Sequence, residues 1–244
     1  MAEKKLVLID GHALAYRMFH ALKVEHFSTR LGEPTNATFG FTRTLIDLIT
    51  AKQPPDYLAV AFDVGGTFRD ALFAGYKGTR DKMPDELAYQ IGRIHQVLEA
   101  FNIPVIEMDG YEADDLLGTI ARRAPEWGVH TLIITGDRDL LQLVNDHTSV
   151  QLPGKSRGEA EVYNADAVYA RFGFGPAQIV DYKAIAGDPS DNIPGVPGIG
   201  DKGATTLLQQ NGTLDGIYAN LEGISAKRQK AALDAGRESA YLSY

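Results

Sequence analysis

The sequence contains no cysteine and no apolar run long enough to cross a bilayer. The absence of cysteine excludes disulfide bonds and thiolate metal sites, and a membrane helix would need about 20 consecutive apolar residues. The start of the chain offers only five apolar or near-apolar residues before Asp10, too few for a secretory signal. We therefore expect a soluble protein of the cytoplasm, a reducing compartment.

Basic residues are also scarce, because 24 lysines and arginines stand against 32 aspartates and glutamates, for a formal net charge of −8. Proteins that bind nucleic acids usually carry basic patches. Such a partner is not excluded when the acidic residues are concentrated at one site, since bound divalent cations would offset them and basic segments could face the substrate. Composition alone leaves the class of partner open.

The chain up to about residue 150 alternates short apolar segments with longer amphipathic ones. The pattern predicts strands at 6–9, 57–62, 104–106 and 131–134, separated by helical stretches. Alternation of this kind is typical of βαβ units around a mostly parallel sheet. We therefore predict an α/β fold in which helices flank a central sheet.

The pattern changes after a polar, glycine-containing segment at 152–161, which we interpret as a hairpin or a boundary loop. Short helices are predicted beyond it at 165–172, 178–186 and 201–210. Asp201 is the expected N-cap of the last of these helices. A block rich in glycine, proline and aspartate precedes it, so the sequence predicts a helical lobe interrupted by tight turns.

Aspartates follow three of the predicted strands, directly or after a short turn. Asp10 ends the first strand, Asp63 the second, and Asp137 and Asp139 follow the last. Ligands of parallel sheets bind beyond the carboxyl ends of the strands, so we expect these side chains to converge. Like charges repel unless a cation neutralises them, and oxygen ligands favour Mg²⁺ or Mn²⁺. The pattern therefore predicts a divalent-metal site.

Two further acidic groups lie away from the strand ends. Glu112, Asp114 and Asp115 fall at a predicted helix start, where acids commonly complement the helix dipole. The repetition of strand-end aspartates favours a metal-site interpretation for this group. Asp188 and Asp191 lie in the turn-rich block and by themselves indicate ordinary Asx turns. Only a family resemblance gives the second group a functional meaning.

Six separated segments match the 5′-nuclease family in order and spacing. They are LIDGHALAYR at 8–17, AVAFD at 59–63, FRDALFAGYKGTR at 68–80, GYEADD at 110–115, TGDRDLLQL at 135–143 and GDPSDNIPGVPGIGDKGA at 187–204. The chain resembles a family that includes bacterial DNA polymerase I nuclease domains, phage 5′-exonucleases and flap endonucleases. It is most similar to the N-terminal nuclease domain of bacterial DNA polymerase I, and the resemblance extends over 5–210.

The resemblance implies a structure-selective 5′-nuclease, a 5′-3′ exonuclease or flap endonuclease that removes primers or flaps in DNA replication and repair. Two Mg²⁺ or Mn²⁺ ions, about 4 Å apart, would clamp the scissile phosphate, activate a water and stabilise the leaving oxygen. The product would carry a 5′-phosphate. The metal ligands and their surrounding carboxylates are expected at Asp10, Asp63, Glu112, Asp114, Asp115, Asp137, Asp139, Asp188 and Asp191.

A helical arch or gateway is implied at about 68–100. Its Lys77 and Arg80 are expected to steer the 5′ strand and to offset charge on the reacting phosphate. Tyr76 is expected to stack on an unpaired base, and Arg17 and Arg69 to contact phosphates. Seen alone, this basic segment would be interpreted as a solvated loop.

The implied organisation is a PIN-like α/β nuclease core over 1–155 and a helical DNA-binding lobe over 156–244. The lobe would contain a helix–three-turn–helix at about 178–211, where carbonyls could hold K⁺. Duplex contacts without sequence readout are expected from the backbone and from two side chains: Gly198, Gly200, Lys202 and Thr205. Without the resemblance, the block would be interpreted as a simple glycine–proline linkage.

Two rival functions stay open. A PIN-class ribonuclease would share the strand-end carboxylates, but a minimal fold of that class has no place for the YKGTR segment or the helix–three-turn–helix. A non-catalytic module for branched DNA would gain nothing from concentrated negative charge beside phosphates. We expect a bacterial, nucleoid-associated monomer that binds DNA with 5′ ends, flaps or branches. Family members commonly continue beyond Tyr244, so an isolated or shortened domain is expected, and the sequence leaves open whether a fused DNA polymerase follows in the full-length protein.

Overall fold

The computed structural model describes residues 4–154 and 159–244, and its centre is one six-stranded sheet. The strands are β1 (Lys4–Asp10), β2 (Tyr57–Ala61), β3 (Val105–Ile106), β4 (Val129–Ile134), β5 (Thr148–Pro153) and β6 (Ala160–Tyr163). Their order is β3-β2-β1-β4-β5-β6, and the pairs β1–β2, β1–β4, β2–β3 and β4–β5 are parallel. The predicted mostly parallel α/β sheet is confirmed.

The sheet contains two strands more than the four predicted. The segment 152–161, predicted to be a hairpin or a boundary loop, includes the end of β5 and the beginning of β6, which are neighbours in the sheet. Residues 155–158 in its middle lie outside the described residues. The side chains of β5 alternate between buried and half-buried positions, as expected of a strand with one wetter face.

Helices alternate with the strands of the sheet, and after β6 the regular elements are helical. They are α1 (Gly11–Ala21), α2 (Asn36–Ile49), α3 (Phe68–Leu72), α4 (Asp85–Ala100), α5 (Ala113–Arg123), α6 (Ala165–Phe172), α7 (Ile179–Ala186), α8 (Asp201–Asn211), α9 (Leu214–Ala219), α10 (Lys227–Ala235) and α11 (Arg237–Ser243). Short 3₁₀ turns occur at Val24–His26, Ala124–Trp127, Asp139–Leu143, Pro176–Gln178 and Leu221–Gly223. In the described ranges, none of these helices combines the length and hydropathy that a bilayer crossing requires.

The order of the strands creates a switch point beside β1. From β1 the chain proceeds outward through β2 and β3 on one side, and then through β4 and β5 on the other. Where the order reverses in this way, the crevice at the carboxyl ends of the two central strands is the usual ligand site of an open α/β sheet. In this protein those strands are β1 and β4.

The main core lies between the sheet and α1, α2 and α4. Val7 and Ile9 of β1 are completely buried, as expected for a central strand covered on both faces. Phe41 of α2 and Ile94 and Leu98 of α4 pack into the same cluster. The spacing of the buried residues along α4 is that of an amphipathic helix.

A buried pair of amides joins three helices within this core. Gln90 of α4 donates to Asn36 Oδ1 at 2.9 Å and accepts the N–H of Thr38 at 3.1 Å. Asn36 Nδ2 in turn donates to the carbonyls of Phe19 and Leu22 at the end of α1. Both amide side chains are fully buried and hydrogen-bonded, so the pair fixes α4 against α1 and α2 without leaving a polar group unsatisfied.

The chain divides into two compact units. The first comprises the described residues of Met1–Phe68 and Lys82–Val162, and the second comprises Arg69–Asp81 and Tyr163–Tyr244. The segment expected to form an arch is therefore shared, because α4 belongs to the first unit and Arg69–Asp81 to the second.

The second unit is built from helices, as predicted for the C-terminal lobe. Its buried residues include Ile185 of α7, Leu208 of α8 and Leu233 of α10. The prediction that Asp201 is the N-cap of α8 is wrong. Gly200 holds that position because its carbonyl accepts the N–H of Ala204, which places Asp201 inside the first turn.

Candidate functional site

Asp10 lies at the switch point, where β1 ends and α1 begins. It is the last residue of β1 and the N-cap of α1, where its Oδ1 accepts the N–H of Ala13 at 3.0 Å. Its other oxygen accepts a hydrogen bond from the Thr135 hydroxyl, directly after β4, at 2.8 Å. The residue is only 6% exposed. Its carboxylate is therefore held in place from both central strands.

The charge of this carboxylate is unfavourable in its surroundings. Burial raises the pKa of Asp10, and the negative charges of Asp63 and Asp137 raise it further, while the hydrogen bonds from Ala13 and Thr135 lower it only in part. Asp63 and Asp137 are thus close enough to Asp10 to repel its charge. A bound cation would relieve both the repulsion and the cost of burial.

Asp63 links the end of β2 to the start of α5. Its Oδ1 accepts the N–H of Ala113 at 2.6 Å, which satisfies a free donor in the first turn of that helix. Its own N–H donates to Nδ1 of His12 at 3.3 Å. Glu112, the N-cap of α5, is 6% exposed, and its N–H donates to Asp115 Oδ2 at 3.0 Å. The acidic group at this helix start therefore lies beside Asp63.

Asp137 and Asp139 form a compact turn after β4. Asp137 Oδ1 accepts the N–H of Asp139 at 2.8 Å, and the N–H of Asp137 donates to Thr135 Oγ1 at 2.9 Å. Hydrogen bonds of this kind are typical of Asx turns. The turn brings the Asp137 carboxylate into electrostatic range of Asp10.

The donor set of the first unit fits a hard divalent cation. Its carboxylates offer oxygen ligands, which suit Mg²⁺ and Mn²⁺. Across residues 4–154 and 159–244, however, no three acidic or imidazole side chains are grouped so that they could hold a metal ion by themselves. Mg²⁺ commonly binds to one or two carboxylates and takes its other ligands from water and substrate phosphates. The arrangement therefore fits an ion that shares its ligands with a substrate.

Asp188 and Asp191 belong to the second unit, where each already has a cationic partner. Asp188 is paired with Lys183, and Asp191 with Arg80. Burial raises the pKa of Asp188, but hydrogen bonds from Lys183 and Ser190 outweigh it, so the pKa lies below its ordinary value. These carboxylates are therefore stabilised without a metal ion, unlike Asp10.

The basic segment at 75–80 is hydrogen-bonded to the loop that contains Asp191 and Asn192. The N–H of Lys77 donates to the carbonyl of Asp191 at 3.0 Å, and Asn192 Nδ2 donates to the carbonyl of Gly75 at 2.8 Å. Lys77 has a positive φ of 52°, and its ammonium lies 5.0 Å from the centre of the Tyr76 ring. The segment therefore has a defined backbone course rather than that of a solvated loop.

The turn-rich block combines closely packed and open glycines. A Cβ at Gly195, where φ is +60°, would lie 2.3 Å from the backbone of Gly187, so only glycine fits there. Gly198 and Gly200 have open space around them. Gly200 begins α8, and Lys202 is exposed in its first turn. The start of α8 is therefore accessible to an anion.

The other sequence-predicted residues have plainer surroundings. Arg17 Nη2 lies 3.4 Å from the carbonyl of Glu159, Arg69 lies in α3, and Thr205 is half-buried in α8. Two residues that sequence reasoning did not single out, His12 and Thr135, contact the acidic group directly. Both fall inside the matched motifs, so their polar side chains beside Asp10 and Asp137 were the available signal.

Comparisons with known proteins agree with the fold. Residues 5–173 match the family model "5′-3′ exonuclease, N-terminal resolvase-like domain", and residues 174–244 match "5′-3′ exonuclease, C-terminal SAM fold". DNA polymerase I of Chloroflexus aurantiacus is 48% identical over 100% of this chain and 26% of that protein. The chain thus spans about a quarter of the length of the curated relatives it matches.

Solved structures share the fold. T5 5′-exonuclease with bound zinc has a TM-score of 0.79 at 24% identity, with 98% of this chain and 88% of that chain covered. The catalytic core of Rad2 in complex with a DNA substrate has a TM-score of 0.63 at 17% identity, with 99% and 77% covered. At these identities the likeness concerns the fold.

Proposed function

The chain belongs to the 5′-3′ exonuclease family, and on this premise we propose that it hydrolyses DNA phosphodiester bonds near a 5′ end. The reaction would include removal of unpaired 5′ flaps, as needed for primer or flap removal in replication and repair. The observation that carries this proposal is the buried Asp10 at the switch point of the sheet, with the charges of Asp63 and Asp137 close enough to act on it. A buried carboxylate beside two others is costly unless a cation joins them.

The proposed cations are Mg²⁺ or Mn²⁺, bound by the carboxylates at the strand ends and at the start of α5. The ligands and their neighbours in the first unit would be Asp10, Asp63, Glu112, Asp114, Asp115, Asp137 and Asp139. Two such ions, when bound, would polarise the scissile phosphate, acidify a water and offset charge on the leaving oxygen. Asp188 and Asp191 stay proposed ligands, but each would first have to leave its ion pair.

Hydrogen bonds within the protein fix the orientation of two of these carboxylates. The Ala113 N–H and the Thr135 hydroxyl orient Asp63 and Asp10 respectively, so neither carboxylate is free to rotate away. Burial of Asp10 keeps bulk water from one side of the site. Such fixed groups reduce the reorganisation needed when substrate binds.

The remaining expected residues would bind the DNA. Lys77 and Arg80 would contact the phosphates of the 5′ strand, with Tyr76 available for stacking on a base. Backbone N–H groups at Gly198 and Gly200, with Lys202, Thr205 and a K⁺ ion, would bind duplex phosphates. Arg17 and Arg69 are proposed as further phosphate contacts. Contacts of this kind position DNA without reading its sequence.

Similarity to DNA polymerase I supports a role beside a polymerase. We propose that the core at 1–155 cuts, that the lobe at 156–244 grips duplex DNA, and that the two act as one monomer on nucleoid DNA. The polymerase would extend a 3′ end while this part removes the 5′ strand ahead of it.

A flap-cleavage assay with product sizing tests the proposal. End-labelled 5′-flap DNA and an RNA flap of the same sequence are incubated with Mg²⁺, with Mn²⁺ or with chelator. We expect cutting of DNA only with metal, and its loss in Asp137→Asn, which keeps an acceptor for the Asp139 N–H. Asp146→Asn is the matched control, since Asp146 is exposed before β5, away from the carboxyl ends of the strands.

Each alternative gives its own result. Preferential cutting of the RNA flap would favour the PIN-class ribonuclease. Tight binding of branched DNA without any cutting would favour the non-catalytic module. Equal cutting with metal and with chelator would contradict the metal-dependent mechanism.

A further inference from the structure

His12 occupies a fixed position beside the acidic group. It lies in the first turn of α1, two residues after Asp10, and its side chain is 21% exposed. Its ring packs edge-on against the buried Phe62, with ring centres 5.3 Å apart and an interplanar angle of 86°. Its Nδ1 lies 3.3 Å from the backbone nitrogen of Asp63 and 3.5 Å from Asp63 Oδ2. Packing and hydrogen bonding therefore both restrict the ring.

The hydrogen bond with Asp63 also determines which ring nitrogen can donate. The backbone N–H of Asp63 points at Nδ1 of His12, so the lone pair of Nδ1 is the acceptor. The ring proton then lies on Nε2. Nε2–H is the outer group of the side chain, and it is a hydrogen-bond donor.

The carboxylates at the acidic edge of the sheet offer a phosphate no hydrogen-bond donor. Ionised carboxylates such as those of Asp63 and Asp137 only accept hydrogen bonds. A phosphate group is also rich in acceptor oxygens, so its placement there requires donors as well as cations. His12 supplies a donor, Nε2–H, on a ring whose Nδ1 lies 3.5 Å from Asp63 Oδ2.

We propose that His12 binds the substrate, donating a hydrogen bond from Nε2–H to a phosphate oxygen of the DNA strand held beside Asp63. The inference rests on the proposed function, since it assigns a role at the same site. It differs from a purely structural role, in which His12 would only hold the backbone of Asp63. The two roles use different nitrogens of one ring, so they can be separated.

Two amide variants separate the roles. In His12→Asn the side-chain oxygen can take the place of Nδ1 and accept the Asp63 N–H, but the outer donor is lost. In His12→Gln the longer side chain can place an N–H near the position of Nε2. His20→Asn is the matched control, because His20 lies in the exposed last turn of the same helix.

The measurement is the single-turnover rate of cleavage of a 5′-flap DNA at saturating enzyme and Mg²⁺. We expect His12→Asn to be about 10- to 100-fold slower than wild type, the effect of losing a hydrogen bond to a charged group. His12→Gln should cleave at about a tenth of the wild-type rate or faster, because its side chain can place a donor near the position of Nε2. The Mg²⁺ concentration for half-maximal rate and the melting temperature of His12→Asn should remain those of wild type.

A second readout identifies the contacted phosphate. In a series of flap DNAs with one neutral methylphosphonate linkage each, wild type should lose rate at one linkage near the cut. His12→Asn should show a smaller loss at that linkage and unchanged losses elsewhere. If His12 had only a structural role, each methylphosphonate would slow His12→Asn by the same factor as it slows wild type.

The contrary outcomes are distinct. A fast His12→Asn with a slow His12→Gln would assign His12 to the backbone of Asp63 and overturn the inference. A raised Mg²⁺ requirement in His12→Asn, or wild-type rates in both variants, would also overturn it while the proposed function stands. No cleavage by wild type itself would remove the proposed function and this inference together.

Discussion

Thr135 Oγ1 donates a hydrogen bond to Asp10 Oδ2 at 2.8 Å and accepts one from the backbone N–H of Asp137 at 2.9 Å. One buried hydroxyl therefore ties the acidic ends of β1 and β4 together across the switch point. Because the bond to Asp10 is buried and the bond from Asp137 is partly buried, both are costly to break. The position of the Asp10 carboxylate thus depends on a residue 125 positions away in the sequence.

Thr135→Val tests this link, since valine keeps the shape and removes the hydroxyl. We expect the Mg²⁺ concentration for half-maximal cleavage to rise about tenfold or more, as for other residues that orient metal ligands. The free energy of unfolding should fall by about 1–3 kcal/mol, because a buried N–H loses its acceptor. Thr135→Ser should restore both values.

The matched control is Thr131→Val in β4, the strand that Thr135 follows. The Thr131 hydroxyl is buried but makes no hydrogen bond within the described residues, so its loss should leave the Mg²⁺ requirement unchanged. If Thr131→Val and Thr135→Val behave alike, the hydroxyl of Thr135 has no special role.

Gly11→Ala should destabilise the protein at the base of the site. A Cβ at Gly11 would lie 2.4 Å from the ring of Phe62, which is almost completely buried. Overpacking of this kind costs about 1–3 kcal/mol, measurable by urea unfolding. Gly92→Ala is the control, because α4 has open space there, and helix propensity predicts a gain of about 0.5–1 kcal/mol. Equal stability of the two variants would contradict the close contact with Phe62.

Asp181 should make stability depend on pH in a direction unusual for an acid. Burial, followed by a smaller effect of Asp215, raises the pKa of Asp181 above its ordinary value of 3.8, although the N–H of Leu214 donates to it at 2.7 Å. The folded state therefore retains the proton to higher pH than the unfolded state, and this residue's contribution to stability falls as pH rises through that range.

Asp181→Asn removes the charge and keeps an acceptor for the Leu214 N–H. We expect its free energy of unfolding to exceed that of wild type near pH 7 and to equal it below the ordinary pKa. Asp181→Ala should lose about 1–3 kcal/mol at both pH values, because the N–H is left without its partner. A wild-type advantage over Asp181→Asn near pH 7 would show that the charge is stabilising.

Lys77→Ala and Arg80→Ala should slow single-turnover cleavage about tenfold or more, if their charges act on the reacting phosphate. The Mg²⁺ requirement should not change. Lys52→Ala, an exposed lysine in the first unit, is the control. Since Arg80 also pairs with Asp191, unfolding must be measured in parallel. A loss of stability with an unchanged cleavage rate would mean that Arg80 is only structural.

The sequence predicts the centre of the fold well because that centre is fixed by short-range patterns. The apolar run Leu6–Ile9 can only be a buried strand, and the helical spacing of Ile94 and Leu98 defines one face of α4. The extent of β5 and β6 is not predicted, because the polar, glycine-containing segment between them allows either a hairpin or a boundary loop. The hydrogen bond between Asn36 and Gln90 is likewise not predictable from a local pattern, since the two residues lie 54 positions apart.

The sequence also predicts only part of the functional site. The positions of Asp10, Asp63 and Asp137 after strands predict that they meet, and the structure brings them within electrostatic range. The contacts of His12 and Thr135 depend on partners distant in sequence, so no local pattern reveals them. The ion pairs of Asp188 and Asp191 are also tertiary contacts, and their role as metal ligands stays a prediction.

The assignment of Arg69–Asp81 to the second unit means that the backbone passes between the units three times. Gly75 and Lys77 are hydrogen-bonded to Asn192 and Asp191. A fragment that stops at residue 162 would carry this segment without its bonding partners, and one that starts at residue 163 would lack the segment altogether. Neither fragment contains a whole unit with all of its hydrogen-bonding partners. A chimera between relatives must therefore exchange Arg69–Asp81 and Tyr163–Tyr244 together.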